Sequence, residues 1–279
     1  MLISGPWHGD WCFESVANEL ISNGFNVIAR DLPGHGLNAQ FPSSYLAGNL
    51  NPNEVSPLAS ITLDDYVNSV VETIQGLQQA RTSPLIVLGH SSGGLTLNEL
   101  GERLGPGVID RMVYLTAFMT PAGKTGNDII TLDTQNGSLT PTVFLGSIGV
   151  TGVARINPNS TDPTYQGQAK NVFYNDVPQE QIPAIFNLLT PDDPAAPYAQ
   201  TTSITPGRWG RIPRLYPMHA RSRDSACIAE RSDPSGGCVN AAEPDPSLYA
   251  AKQPFVVFFD AGAACFAAHA GGTSLLISD

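Results

Sequence analysis

Apolar residues fall along the chain in two alternating rhythms. Short apolar stretches, unbroken at Leu85 to Leu88 and Met112 to Leu115, suit buried strands. They are Met1 to Ile3, Phe25 to Ala29, Leu85 to Leu88, Met112 to Leu115, Ile212 to Met218 and Phe255 to Phe259. Between several of them the apolar residues recur at helical spacing. Trp11, Val16, Leu20 and Ile21 predict a helix that ends near Asn23-Gly24. Thr62 is placed to cap a second helix through about Gln79, with Tyr66, Val67, Val70, Val71, Ile74 and Leu77 on its apolar face. A third helix is expected from Leu95 to Leu104. Strand and helix in this rhythm predict an α/β fold, a mostly parallel sheet with helices on both faces. Functional residues of such sheets gather beyond the carboxyl ends of the strands.

Two stretches break the rhythm. Residues 37–60 are polar and proline-bearing and read as a long excursion. Residues 121–205 are rich in Pro, Asn, Thr and Gly, with only short apolar patches such as Ile182 to Leu189. They read as an inserted cap on a core made of residues 1–120 and 206–279. The alternative is a surface excursion without function.

One stretch carries a chemical signature. Pro84-Leu85-Ile86-Val87-Leu88 runs into Gly89-His90-Ser91-Ser92-Gly93-Gly94, a Gly-x-Ser-x-Gly between a predicted strand and a predicted helix. Glycines there allow a tight turn that strains the central residue and lifts its hydroxyl out of the sheet. The following helix start favours developing negative charge. A serine alone is a poor nucleophile and needs a base and an orienting acid.

Composition narrows the partners. The 279 residues carry a net charge of −11, with Lys124, Lys170 and Lys252 the only lysines. Such a chain repels nucleic acid and anionic membrane. No run approaches the roughly 18 apolar residues of a bilayer span, and no leader is legible at Met1 to Ile3, where a strand opens directly. A soluble monomer or homodimer is expected, with a cytoplasmic place favoured over export. Cys12, Cys227, Cys238 and Cys265 form no Cys-x-x-Cys, which disfavours zinc. Cys227 and Cys238 could close a loop in an oxidising compartment. No phosphate loop, dinucleotide fingerprint or metal-ligand cluster is present in the sequence, so no cofactor is implied.

Taken together, several stretches make the chain resemble an α/β-hydrolase. The resemblance is narrower, to small esterases related to hydroxynitrile lyases and methyl-ester esterases. They are Gly5-Pro6-Trp7-His8-Gly9-Asp10-Trp11-Cys12-Phe13, Asp31-Leu32-Pro33-Gly34-His35-Gly36, the Ser91 turn, Val113 to Phe118, and Phe173-Tyr174-Asn175-Asp176. The resemblance covers residues 1 to about 218. It implies a serine carboxylesterase acting on a small to medium, largely apolar ester through a Ser-His-Asp triad and an acyl-enzyme. Ser91 would be the nucleophile and the Ser92 N–H one oxyanion donor. The family's second donor falls at Pro6, which has no N–H, so either Trp7 takes that role through a shifted loop or the hole is weaker. Trp7, Trp11, Phe118, Phe173, Phe186 and Leu188 are candidates to line the substrate pocket.

The acid should follow the strand at Ile212 to Met218. Asp224 is the nearest carboxylate, ahead of Glu230 and Asp233. The family's histidine follows the last strand, where this chain reads Phe259-Asp260-Ala261-Gly262-Ala263. The expected position holds Ala263, and His269 is the only later histidine, with His219 next in line. The stretch from His219 to Asp279 departs from the family pattern. Two other readings stand beside the esterase. One is a non-catalytic binding protein on the same fold, to which Pro6 and Ala263 point. The other is a hydroxynitrile lyase, which needs a lysine beside the catalytic histidine; Ala270 follows His269.

Overall fold

The computed structural model describes residues 1–78, 83–135 and 137–216. Among these residues the core is a parallel sheet of five strands: β1 (Leu2–Ile3), β2 (Ala29–Arg30), β3 (Ile86–His90), β4 (Arg111–Leu115) and β7 (Arg214–Leu215). They lie in the order β2-β1-β3-β4-β7. Around and between them run α1 (Glu14–Ser22), α2 (Ser43–Leu46), α3 (Leu63–Gln78), α4 (Gly93–Leu104), α5 (Gly126–Gln135), α6 (Ile148–Thr151), α7 (Pro163–Phe173), α8 (Ile182–Phe186) and α9 (Ala196–Ala199). A separate antiparallel pair joins β5 (Val153–Arg155) to β6 (Asp192–Pro194).

The strands alternate their side chains between two apolar layers, as period-two geometry demands. Ile3, Val87, Met112 and Tyr114 pack with Val67, Val70 and Ile74 of α3 and Leu97 and Leu100 of α4. Leu2, Leu88, Val113 and Leu115 pack on the other face with Cys12, Phe13 and the α1 residues Ala17 and Leu20. Both faces are covered, so the central strands read as continuous apolar runs.

The predicted helices are present, with adjustments. Thr62 and Asp65 cap α3 reciprocally: the Asp65 N–H donates to Thr62 Oγ1 at 3.3 Å and the Thr62 N–H to Asp65 Oδ2 at 2.8 Å. Val16 is buried and Trp11 and Leu20 pack inward as expected of the first helix, but Ile21 is 55% exposed. A 3₁₀ turn over Asp10–Phe13 precedes α1. Three residues per turn instead of 3.6 shifts the register, so Cys12 and Phe13 take the buried places. The strand expected over Phe25 to Ala29 is shorter, because β1 offers only Leu2 and Ile3 as partners for Ala29 and Arg30.

Residues 121–205 are richer in regular structure than their composition suggested. They hold α5 to α9 and the β5–β6 pair. They also share an apolar cluster in which Val143, Ile156, Val172, Ile182, Ile185 and Leu189 pack with Trp7 from the other side of the chain. A buried Arg155–Asp192 pair stiffens this region, with Nε to Oδ1 at 2.7 Å and Nη2 to Oδ2 at 2.8 Å. Arg155 Nη1 also donates to the carbonyls of Asn51 and Glu54, which ties down the 37–60 excursion. Among the described residues no helix is long and apolar enough to cross a membrane.

Candidate active site

Among the described residues, three other than glycine hold left-handed backbone: Trp7 (φ 59°), Ser91 (φ 55°) and Thr116 (φ 42°). Each follows a strand, β1, β3 and β4 respectively, and those three strands are adjacent in the sheet. Such conformations cost of order 1–3 kcal/mol each and persist only where the surroundings over-determine them. The strain therefore lies along one edge, the carboxyl ends of the central strands, where parallel sheets place ligands.

Ser91 is the centre of that edge. It stands between β3 and α4, partly exposed. Its N–H donates to the Leu115 carbonyl at 3.3 Å, and its carbonyl accepts from Phe118 N–H at 2.9 Å and Gly94 N–H at 3.1 Å. These bonds strap the turn to the end of β4. The glycines around it are required by contact. A Cβ on Gly89 would lie 2.3 Å from Leu97 Cδ1, and one on Gly94 would lie 2.3 Å from the Phe118 carbonyl oxygen. The first loop touches the same point: a Cβ on Gly5 would lie 2.8 Å from Ser91 Cβ.

Trp7 is held equally firmly. Its indole Nε1 donates to the Ala154 carbonyl at 2.9 Å, and its carbonyl accepts from Thr190 N–H at 3.0 Å. Its ring meets Phe144 and Phe173 at centroid distances of 5.7 and 5.3 Å. The backbone N–H groups of Trp7 and Ser92 find no acceptor among the described residues. Both stand at the strained edge. Of the other candidates for a lining, Phe118 sits edge-on to Tyr198, Phe186 is buried in the cluster beneath Trp7, and Leu188 is 48% exposed.

The histidines of this region are fixed by burial. His8 Nδ1 donates to the Pro6 carbonyl at 2.6 Å, and Nε2 accepts from the Tyr174 hydroxyl at 2.5 Å. Desolvation pushes His8 down to about 4. Burial, with His8 close by, also pushes His90 down to about 4. Both are neutral near pH 7, and neither is bonded to Ser91 among the described residues. Burial and the Asp193 carboxylate push the Tyr198 hydroxyl well above its ordinary range, so it stays protonated.

Of the residues the sequence picked out, Ser91, Ser92 and Trp7 come together at this edge. Asp224, His269, His219 and Ala263 lie outside the described residues, as do Cys227, Cys238 and the run Phe255 to Phe259. Sequence reasoning passed over Thr116, Thr190, Asp193 and Tyr198. The adjacent acids Asp192 and Asp193 amid Pro and Ala were the one visible signal. Among the described residues no group of His, Cys, Asp and Glu is arranged to hold a metal ion.

A parallel sheet sandwiched by helices, with a serine strained on its central strand-to-helix turn, defines the α/β-hydrolase class. The chain belongs to the alpha/beta hydrolase family, whose model matches residues 1–271. A putative chloroplastic methylesterase of Arabidopsis thaliana is 24% identical over 218 residues, covering 77% of this chain and 50% of the relative. A pyrethroid hydrolase of Sphingobium wenxiniae is 25% identical over 224 residues, covering 77% and 68%. The chain spans about half the length, or less, of the methylesterases it matches. Among solved structures, the pyrethroid hydrolase PytH superposes with a TM-score of 0.61 at 23% identity, covering 82% of this chain and 81% of that one.

Proposed function

We propose that this chain is a serine carboxylic ester hydrolase acting on a small to medium, largely apolar ester. The observation that carries the reading is Ser91, partly exposed at φ 55° on a strapped strand-to-helix turn. In the proposed reaction Ser91 Oγ attacks the ester carbonyl carbon while its proton passes to a histidine. The tetrahedral oxyanion accepts hydrogen bonds from the N–H groups of Ser92 and Trp7. The intermediate collapses, and the histidine returns the proton to the departing alcohol. Water then enters by the same route and releases the acid.

Pro6 contributes no N–H to such a hole, so its donor pair rests on the left-handed turn at Trp7. His269 as base and Asp224 as its orienting acid complete the proposed triad. Residues 121–205 are proposed as a cap, which the anchoring of Trp7 by Ala154 and Thr190 supports. The named activities of the relatives, on methyl esters and pyrethroids, favour a modest apolar ester.

The test is labelling with a fluorophosphonate probe followed by peptide mapping, alongside turnover of short p-nitrophenyl esters. The expected result is an adduct on Ser91, lost in His269→Ala, with turnover. An adduct that survives His269→Ala moves the base to His219. Folded protein that takes no label and turns over no ester sinks the proposal. It would favour the binding-protein reading, to which Pro6 and Ala263 already point.

A further inference from the structure

One buried ring of the first loop takes no step in the proposed reaction, but it grips the peptide that would supply a donor to it. His8 is 8% exposed and stacks on Trp11, with ring centroids 5.3 Å apart and planes 27° apart. Its Nδ1 donates to the Pro6 carbonyl at 2.6 Å. That carbonyl can only accept, so the proton sits on Nδ1. Burial keeps the ring neutral, so Nε2 accepts from the Tyr174 hydroxyl, at 2.5 Å. Tyr174 closes α7 and is 2% exposed. Its N–H donates to the Lys170 carbonyl at 2.7 Å, and its carbonyl accepts from the Val177 N–H at 3.1 Å. A firmly held donor from the 121–205 stretch thus fixes the tautomer of a histidine in the first loop.

The Pro6 carbonyl belongs to the same peptide unit as the Trp7 N–H. That peptide is trans, so the unit is planar and the N–H points opposite to the carbonyl. Holding one end aims the other. The rest of Trp7 is pinned elsewhere, its indole to Ala154 and its carbonyl to Thr190. The freedom left is a rotation of the Pro6–Trp7 peptide about ψ of Pro6 and φ of Trp7. At φ 59° Trp7 is in a conformation that costs of order 1–3 kcal/mol. Such a rotation would relieve that strain and swing the N–H away. The bond from His8 Nδ1 opposes it. A hydrogen bond to the carbonyl also polarises the amide and makes its N–H a stronger donor.

We propose that His8 and Tyr174 are positioning residues that lock the Pro6–Trp7 peptide so that the Trp7 N–H faces the oxyanion formed at Ser91. The role deepens the esterase reading and rests on it. Tyr174 of the 121–205 stretch becomes part of the catalytic support.

Three measurements test it: hydrolysis of a short p-nitrophenyl ester, inhibition by a trifluoromethyl ketone of the same acyl length, and fluorophosphonate titration of Ser91. The ketone adds to the serine as a hemiketal oxyanion, so its Ki reads the oxyanion contacts. Titration counts intact sites, so rates are expressed per labelled site. Tyr174→Phe keeps the ring and removes the hydroxyl. It is expected to lower kcat and raise Ki by about tenfold each, the size of one lost orienting hydrogen bond. KM should stay within about twofold, because the contact forms in the transition state. His8→Leu removes the grip on Pro6 outright and should lower kcat by about 100-fold, the size of a lost oxyanion donor. The double variant should be no slower than His8→Leu, since Tyr174 acts through His8. Should His8→Leu fail to fold, the matched shifts of kcat and Ki in Tyr174→Phe carry the test. A merely structural role would lower the labelled fraction and leave kcat per site and Ki at wild-type values. That result overturns the inference and leaves the esterase reading intact, as do losses that multiply in the double variant. A wild type that takes no label and hydrolyses no ester overturns both.

Discussion

Gly5→Ala puts the contact between the first loop and Ser91 to a direct test. Its added Cβ would sit 2.8 Å from Ser91 Cβ, 3.2 Å from the His90 carbonyl oxygen and 3.3 Å from Ser91 Oγ. Carbon atoms rest at about 3.5–4.0 Å, so the two sides must part by roughly 0.7 Å or more. The Gly5 backbone is not in the left-handed region, so the contact alone causes the strain. Neither side yields easily. Ser91 is bonded to Leu115, Phe118 and Gly94, and the first loop is bonded through Trp7 to Thr190 and Ala154. Overpacking of this kind costs about 1–3 kcal/mol, which for a chain of this size lowers Tm by about 2–4 °C per kcal/mol. A reacting atom misplaced by about 1 Å can lose on the order of 100-fold in rate. Gly5→Ala is therefore expected to lower Tm by several degrees and the rate of Ser91 labelling by about 10- to 100-fold in the protein that remains folded. Gly107→Ala, where an added Cβ meets nothing within 4 Å, is the control. Wild-type labelling and an unchanged Tm in Gly5→Ala would refute the close approach of the two loops.

Three further outcomes are expected. His8 and His90 are both pushed from the ordinary 6.5 to about 4, so between those values the unfolded chain binds more protons than the folded one. Stability is then full above about pH 6.5 and falls towards pH 4, by roughly 3 kcal/mol at most for each histidine. Thermal melts across pH 4–7 should show this, and a Tm that is flat over the range contradicts it. Arg155→Met leaves Asp192 buried without its partner and is expected to destabilise by about 3–5 kcal/mol in denaturant melts. Arg155→Met with Asp192→Leu should recover much of that; an equal loss in the double variant would show that the contacts to Asn51 and Glu54 dominate. Gly76→Ala, exposed within α3 with open space around it, should raise stability by about 0.5–1 kcal/mol, and a lower Tm would count against α3 at that position.

The centre of the sheet was legible because β3 and β4 are buried on both faces and so are written as apolar runs. The Ser91 turn was legible because close packing excludes every residue but glycine at positions 89 and 94. Other features depend on partners far along the chain and left no local mark. The length of β2 is set by β1, not by its own residues. The burial of Cys12 and Phe13 belongs to a 3₁₀ turn that hydrophobic periodicity does not record. Tyr198 and Asp193 look ordinary in sequence, since Asp193 meets His35 only once the loop after β2 is brought beside it. The 121–205 stretch reads as irregular because its short helices share one small core that none could form alone.

The left-handed residues on neighbouring strand ends connect these observations. A single strained serine could be an accident of a tight turn. Trp7 and Thr116 are strained beside it, and the bonds that hold Ser91 come from residues flanking Thr116, at Leu115 and Phe118. The bonds that hold Trp7 come from Ala154 and Thr190, far from it in sequence. The 121–205 stretch thus keeps the first loop in a conformation it would not adopt alone. In the proposed oxyanion hole, where Pro6 leaves no N–H to offer, that conformation would decide whether a second donor can face Ser91. On this argument the stretch could not be trimmed away without loosening the turn at Trp7, and the loss would register in the rate at Ser91 as well as in stability.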